Sequence, residues 1–331
     1  MPNAMTHQER LNAALRGKDT DRPPISLWRH WPHDDQSTEG LVQAHLKFQE
    51  TYDCDLIKVS PSGSYAVEDW GMQTEFRGRP DGTRDYLNTV IHSPADWERL
   101  QPLSPRKGML GIVVAALPGL REELKSQVPF IATIFSPLTM ASKLAGPRVL
   151  EDLRQHPAAL HTGLRTIAQT AADLARASVD AGADGIFFAT QHASRKLLTE
   201  DEFAAFGEAY DRLVLDAVRG ALVVVHLHGE DVLFDRVAGW PGLSALNWHD
   251  RRTAPTLAQA LARFQGALIG GLDEGETLVK GTPAQVAAQV HDAIEQTGGR
   301  RLVIGPGCVV LPATPAENIA AARRAVETYR P

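Results

Sequence analysis

The sequence predicts a single (β/α)8 TIM barrel over residues 1–331, with an N-terminal helix and a small hairpin excursion after the second strand. Eight short apolar runs each precede a segment with helical periodicity, and a regular βα alternation requires a parallel sheet. Most of these runs end in polar residues, as barrel strands do where they build a site. A doubly wound open sheet is the competing fold, but it gives no reason for distant strand ends to share one polar centre.

The predicted strands are short runs that end at glycine, proline or polar residues. In chain order they cover residues 24–28, 56–60, 129–135, 185–190, 221–228, 244–250, 266–273 and 302–307.

The predicted helices begin at capping residues or at Ser/Thr-Pro pairs. Thr6 and Glu9 have capping-box spacing, a Pro-Asp-Gly turn at residues 80–82 marks the hairpin, and Ser93-Pro94 opens a short helix. The helices are expected at residues 6–16, 40–52, 111–125, 160–181, 200–219, 232–238, 257–264 and 282–297, in the segment FSPLTMASKLAG, and from Thr314-Pro315 to Tyr329.

Charge and composition exclude several functional classes. The net charge is −6 and the Lys/Arg residues form no long run, so nucleic-acid binding is not expected. No apolar segment approaches the ~20 residues that span a bilayer, and the N-terminus has no apolar signal core. The two cysteines, Cys54 and Cys308, fit a reducing compartment. We therefore expect a cytoplasmic protein that makes no membrane contact.

The segment VVVHLHG, residues 223–229, is the strongest candidate for a site. Residues two apart on a strand point to the same face, so His226 and His228 present both imidazoles to one space. This is a metal-ligand spacing, although two satisfied core or rim histidines would show the same pattern. Cys308 follows another predicted strand and is the one cysteine that could join them.

Other polar residues follow the predicted strands and are candidates for catalysis or substrate binding. His249, with Asp250 beside it, is a candidate general acid/base or fourth ligand, and a strand-end ion pair is the alternative. Arg29 is a candidate carboxylate anchor, or else half of a structural salt bridge. The remaining candidates are His192 for catalysis and His30, Gln191, Trp248 and Asp273 for substrate or ligand orientation.

These segments together resemble the uroporphyrinogen decarboxylase superfamily over nearly the whole chain. The resemblance lies in PISLWRH, FSPLTMASKLAG, HLHG, LNWHDR, GALIGGLD and the tail GPGCVVLPATPAENIAAARRAVE, of which the tail is the most specific. It implies a (β/α)8 barrel and one of two chemistries. One is metal-independent decarboxylation of uroporphyrinogen; the other is zinc-dependent methyl transfer between a corrinoid protein and a thiol. A homodimer is common among proteins of this resemblance.

The decarboxylase residues of the superfamily match this chain at few positions. Its first carboxylate-binding arginine falls on Arg29, but the second falls on His33. Its catalytic aspartate, tyrosine and late histidine fall on about Pro61, Lys143 and Pro306. A porphyrinogen enzyme needs those groups to bind pyrrole N–H groups and many acidic side chains. The chain is therefore not expected to be a true uroporphyrinogen decarboxylase.

The methyltransferase branch is the closer resemblance. Its zinc site has His-x-Cys on one strand and a later Cys; here His226 and His228 match the first motif and Cys308 the second. The resemblance implies a Zn²⁺ site with an open fourth position and a corrinoid as substrate or protein partner. Because imidazole replaces one thiolate, the metal is more electrophilic, which favours water activation or an oxygen ligand over a thiol acceptor.

We therefore predict a zinc-dependent methyltransferase or demethylase that acts on a small methylated substrate or a corrinoid. Decarboxylation of a porphyrinogen or smaller carboxylic acid is the first alternative. A non-catalytic barrel that binds a tetrapyrrole or corrinoid is the second.

Overall fold

A computed structural model describes residues 4–328, and its centre is a curled sheet of seven parallel strands. The strands are β1 (Ile57–Val59), β2 (Thr74–Glu75), β3 (Asp85–Tyr86), β4 (Phe130–Phe135), β5 (Gly185–Thr190), β6 (Leu222–Leu227), β7 (Ala245–Trp248), β8 (Ala267–Leu272) and β9 (Leu302–Pro306). The strand order in the sheet is β1-β4-β5-β6-β7-β8-β9, and a separate antiparallel hairpin pairs β2 with β3.

The ring closes between β9 and β1 through the segment predicted as the first strand. Only Ile25 makes a β-bridge there, parallel to Ile304. Ser26 N–H donates to the Ile304 carbonyl at 2.8 Å, and Asp55 N–H donates to the Ile25 carbonyl at 2.7 Å. Pro24 has no N–H to donate, which shortens the ladder on this segment. The predicted barrel is confirmed, with its first strand reduced to one bridge.

The strands are apolar on both faces because helices cover the outside and side chains fill the inside. All residues of β4, β5 and β8 are buried, as expected for a parallel sheet. The helices are α1 (His7–Leu15), α2 (Thr38–Tyr52), α3 (Tyr65–Glu68), α4 (Gly108–Leu124), α5 (Pro137–Ala145), α6 (Arg148–Gln155), α7 (Pro157–Asp180), α8 (Glu200–Glu202), α9 (Ala209–Asp216), α10 (Phe234–Ala238), α11 (Leu257–Arg263), α12 (Thr277–Lys280), α13 (Pro283–Thr297) and α14 (Ala316–Thr328), with a 3₁₀ helix at Pro94–Arg99.

The predicted helices are present, and their differences from the structure lie at ends and interruptions. The Thr6–Glu9 capping box forms as predicted. A π-helical stretch, Phe203–Glu208, interrupts the helix predicted over 200–219. Helices α3, α6 and α12 were not predicted, because each is short and lies where loops were expected. The predicted end of the last helix at Tyr329 lies outside the described residues.

The predicted hairpin excursion lies over the mouth of the barrel. Gly82 in its turn has φ +79°, and a Cβ atom there would lie 2.9 Å from the Cβ of His30. Glycine is therefore needed both for the turn and for the close approach. Lys143 of α5 donates a 3.0 Å hydrogen bond to the Tyr86 hydroxyl of β3, so the hairpin also touches the segment after β4. Within residues 4–328, no helix combines the length and apolar composition needed to cross a bilayer.

Candidate metal centre

Four nitrogen and sulfur donors meet at the carboxyl end of the barrel. His226 lies in β6 and His228 one residue beyond it; His249 directly follows β7, and Cys308 lies two residues beyond β9. One ligand atom from each lies within 4.8 Å of all the others. The structure therefore brings the three predicted ligands together and adds His249 to them.

Asn247 fixes the orientation of His226. The Asn247 amide nitrogen donates to the carbonyls of Ile269 and Pro306 at 2.9 and 3.0 Å, so its oxygen must be the acceptor towards His226. His226 Nδ1 lies 2.6 Å from that oxygen and therefore carries the proton. Nε2 is buried and has no hydrogen-bond partner within residues 4–328. Its lone pair is thus left available for a metal.

Glu274 supports His249 in the same manner. His249 Nδ1 lies 3.0 Å from Glu274 Oε1, and the other carboxylate oxygen accepts the Gly307 N–H at 3.1 Å. A carboxylate that orients the outer nitrogen of a histidine is the usual support for a metal-bound imidazole. His249 Nε2 is left facing the cluster, 3.5 Å from His228 Nδ1. Of its predicted roles, the geometry favours ligand over general base.

Two of the distances between donors match those of a tetrahedral site. Zn–N and Zn–S bonds of about 2.0–2.3 Å place tetrahedral ligand atoms roughly 3.3–3.8 Å apart. His228 Nδ1 lies 3.5 Å from His249 Nε2 and 3.7 Å from Cys308 Sγ. Nitrogen and thiolate ligands suit Zn²⁺, so the residues present fit the group that the sequence predicted.

Burial sets the charge of the donors. It lowers the pKa of His226 well below its usual value and that of His228 to about 4, so both imidazoles are neutral near pH 7. Burial, with the Glu274 charge next in importance, raises the pKa of Cys308 to about 12. His226 and His228 are thus ready to bind, whereas the thiol must release a proton to a metal ion.

A cavity of about 520 Å³ opens from these donors to the mouth of the barrel. Trp28, Phe135 and Phe187 line it, together with two lysines, Lys58 of β1 and Lys143 of α5. Neither lysine was predicted from the sequence as a site residue. The sequence did contain an indication for Lys58, which lies in the middle of the apolar run LIKVS. A lysine at such a position must either point into the barrel or be buried at an unusually high cost in free energy.

Some of the predicted site residues line the cavity, and others lie outside it. His30 and Gln191 line the cavity. His192 is buried beside it with Nδ1 unpartnered within the described residues, and burial lowers its pKa to about 4. In the first segment, Trp28 and His30 line the cavity, whereas Arg29 lies outside it with its guanidinium 5.1 Å from the Trp31 ring centre.

Strand alternation acts along β7. Asn247 and His249 point into the barrel, and Trp248 and Asp250 point out of it. Trp248 donates to the Pro255 carbonyl at 2.9 Å, and Asp250 accepts the Gly271 N–H at 3.1 Å. Asp273 pairs with Arg252 at 2.7 Å. The structure thus gives Arg29, Trp248, Asp250 and Asp273 structural contacts and places none of them in the lining of the cavity.

A parallel α/β barrel with clustered His and Cys donors at the carboxyl ends of its strands has the architecture of a TIM-barrel enzyme. The profile of the uroporphyrinogen decarboxylase (URO-D) family matches residues 6–329. The chain therefore belongs to the URO-D family.

Relatives of both superfamily chemistries are similar to this chain. A uroporphyrinogen decarboxylase from Synechococcus sp. (strain CC9605) is 24% identical, and the match covers 93% of each chain. A methylcobamide:CoM methyltransferase, MtbA, from Methanosarcina acetivorans is 21% identical over 98% of each chain. A solved methyltransferase from Methanosarcina mazei superposes with a TM-score of 0.83, at 21% identity and 98% coverage of each chain. The solved structure shows the fold alone. The sequence identities to the decarboxylase and to the methyltransferases are nearly equal, so they do not distinguish between the two activities.

Proposed function

We propose that the protein is a zinc-dependent methyltransferase or demethylase acting on a small substrate. The observation that carries the proposal is the convergence of His226, His228, His249 and Cys308 with ligand atoms within 4.8 Å of one another. Bound Zn²⁺ would lower the pKa of a coordinated thiol or water, which makes a nucleophile for a methyl group near neutral pH.

The four donors differ in how firmly they are held. Asn247 orients His226 and Glu274 orients His249. Within residues 4–328, the His228 ring has hydrogen-bond contacts only with other members of the cluster, at His249 and Cys308. Of the three histidines, His228 is therefore the one that a substrate can displace at the smallest cost. Displacement of His228 would provide the open position that the resemblance implies, although four donors are present.

The alternatives have less support. A uroporphyrinogen decarboxylase must bind many acidic side chains, whereas the three arginines that line the cavity are already paired with carboxylates. These pairs are Arg79 with Asp85, Arg84 with Asp35 and Arg252 with Asp273. A non-catalytic tetrapyrrole binder does not need four metal donors.

Metal analysis tests the centre directly. Purified protein loaded with zinc and then dialysed should retain about one zinc per chain, and a His228→Ala, Cys308→Ala double variant should lose it. A matched control also loses one histidine and one cysteine: His92→Ala, Cys54→Ala, both outside the cluster. Full zinc content in the site variant, or none in the wild-type protein, would contradict the proposal.

Methyl transfer is tested with methylcobalamin as donor and small thiols or water as acceptors, because a corrinoid, free or protein-bound, is the proposed methyl carrier. Demethylation of the corrinoid changes its absorbance, and we expect zinc removal to abolish the change. Turnover that persists in the double variant would show that the centre does not act in transfer. The homodimer that the resemblance implies is tested separately by light scattering of the purified chain.

A further inference from the structure

Two lysines lie in the cavity without an acidic partner. Lys58 and Lys143 both line the cavity that opens on the His/Cys donors. Among residues 4–328, neither forms an ion pair with a carboxylate within 4.0 Å. The three arginines of the same cavity are all ion-paired. The lysines are therefore the cations of the cavity that remain available to a ligand.

The surroundings hold each ammonium group in a similar way. Lys58 is 5% exposed, donates to the Ser60 hydroxyl at 3.0 Å and lies 4.7 Å from the Phe187 ring centre. Lys143 donates to the Tyr86 hydroxyl at 3.0 Å and lies 4.7 Å from the Phe135 ring centre. An ammonium group has three N–H donors, so each lysine has unused donors.

Aromatic rings alone do not compensate for a buried charge. A cation–π contact contributes about 0.5–2 kcal/mol, less than the several kcal/mol that burying an ammonium group costs. Burial accordingly lowers the pKa of Lys58 to about 7 and that of Lys143 to about 8. An anion in the cavity would supply the missing counter-charge and accept the unused hydrogen bonds.

The lysines also lie near the donors. The Lys58 charge lowers the pKa of Cys308 and that of His226, and the Lys143 charge lowers the pKa of His228 and that of His192. A small molecule can therefore reach a lysine and the cluster at once within about 520 Å³.

We propose that Lys58 and Lys143 form an anion subsite that binds a carboxylate group of the substrate while its reacting end faces the His/Cys donors. The substrate is then a small organic acid with an apolar body, which Trp28, Phe135 and Phe187 contact. This inference rests on the proposed function for the identity of the reacting end. The carboxylate subsite itself is independent of the metal.

Calorimetric titration with benzoate and benzamide tests the subsite, since the two probes share a shape and differ in charge. We expect benzoate to bind the wild-type protein more tightly than benzamide. Lys58→Met and Lys143→Met should each weaken benzoate binding about tenfold to a hundredfold, the loss of one charge-assisted hydrogen bond, and leave benzamide unchanged. Lys280→Met, at an exposed lysine of α12, is the matched control. Lys58→Arg keeps the charge and should keep part of the affinity.

Equal binding of the two probes, no benzoate binding, or unchanged binding in both lysine variants would overturn the proposal. If Lys58→Met does not fold, benzoate binding by Lys143→Met and by Lys58→Arg tests the proposal in its place. Titrations on zinc-loaded and metal-free protein keep the two hypotheses apart. Lysine-dependent benzoate binding without zinc retention defeats only the proposed function. Zinc retention without lysine-dependent binding defeats only the subsite.

Discussion

Asn247 is expected to control zinc affinity although it does not reach the metal position. It holds the proton of His226 on Nδ1 and so keeps Nε2 free as a ligand atom. In Asn247→Leu the imidazole loses that acceptor, and either nitrogen can carry the proton. Removal of a residue that orients a metal-bound histidine typically weakens metal binding 10- to 100-fold. We expect a loss of this size, about 1.4–2.8 kcal/mol.

The substitution also has a structural cost. The Asn247 side chain makes three hydrogen bonds, at 2.6, 2.9 and 3.0 Å. At about 1 kcal/mol each, their loss should lower the free energy of unfolding of the metal-free protein by about 3 kcal/mol. Lower stability alone is therefore no evidence for a role at the centre.

Asn318 in α14 supplies the control. It is 1% exposed, and its amide nitrogen donates to the carbonyls of Leu278 and Gly281 at 2.9 and 2.8 Å, as that of Asn247 does to two other carbonyls. Asn318→Leu should lower stability by about 2 kcal/mol and leave zinc affinity unchanged. Competition with a chromogenic chelator measures the zinc affinity, and urea unfolding measures the stability. Equal zinc affinity in the two variants would refute the reasoning.

Two further predictions concern groups outside the cluster. Burial raises the pKa of Asp211 to about 8, so its carboxyl group stays protonated in the folded protein between about pH 4 and pH 8, and the free energy of unfolding falls there by about 1.4 kcal/mol per pH unit. Urea unfolding at pH 5–7 measures how the free energy of unfolding changes with pH. Asp211→Asn should remove this contribution to the pH dependence, and Asp216→Asn, at an exposed residue, should not. An unchanged pH dependence in Asp211→Asn would show that Asp211 is ionised in the folded protein. Arg29→Ala should change the benzoate affinity by no more than about twofold. It should lower the free energy of unfolding by about 1 kcal/mol, because the contact with Trp31 is lost. A loss of benzoate affinity of about tenfold would restore the anchoring role first predicted for Arg29.

Periodicity predicted the barrel well because each βα unit repeats the same pattern. It failed at the first strand, where Pro24 limits pairing and the structure keeps one bridge at Ile25. It also missed the short helices α3, α6 and α12, which lie where loops were expected.

The site was predictable where one strand carried two members, as in His226 and His228. Alternation along β7 would have separated His249 from Asp250, because Asn247 and His249 share a face. The partners Glu274 and Lys58 were harder to find. Their roles depend on which side chains face each other across the closed barrel, and a single sequence gives no distance between strands that are far apart in the chain.

The cavity has two walls with separate origins. The donors and their supports, Asn247 and Glu274, come from β6 to β9 and the loops after them, whereas Lys58 comes from β1 and Lys143 from α5. If the proposed subsite and centre are correct, substitutions in the second wall would change which acid is accepted without touching a ligand or its orienting partner. Selectivity should therefore be open to redesign in the β1 and α5 segments alone, with zinc retention serving as the check that the chemistry has been left intact.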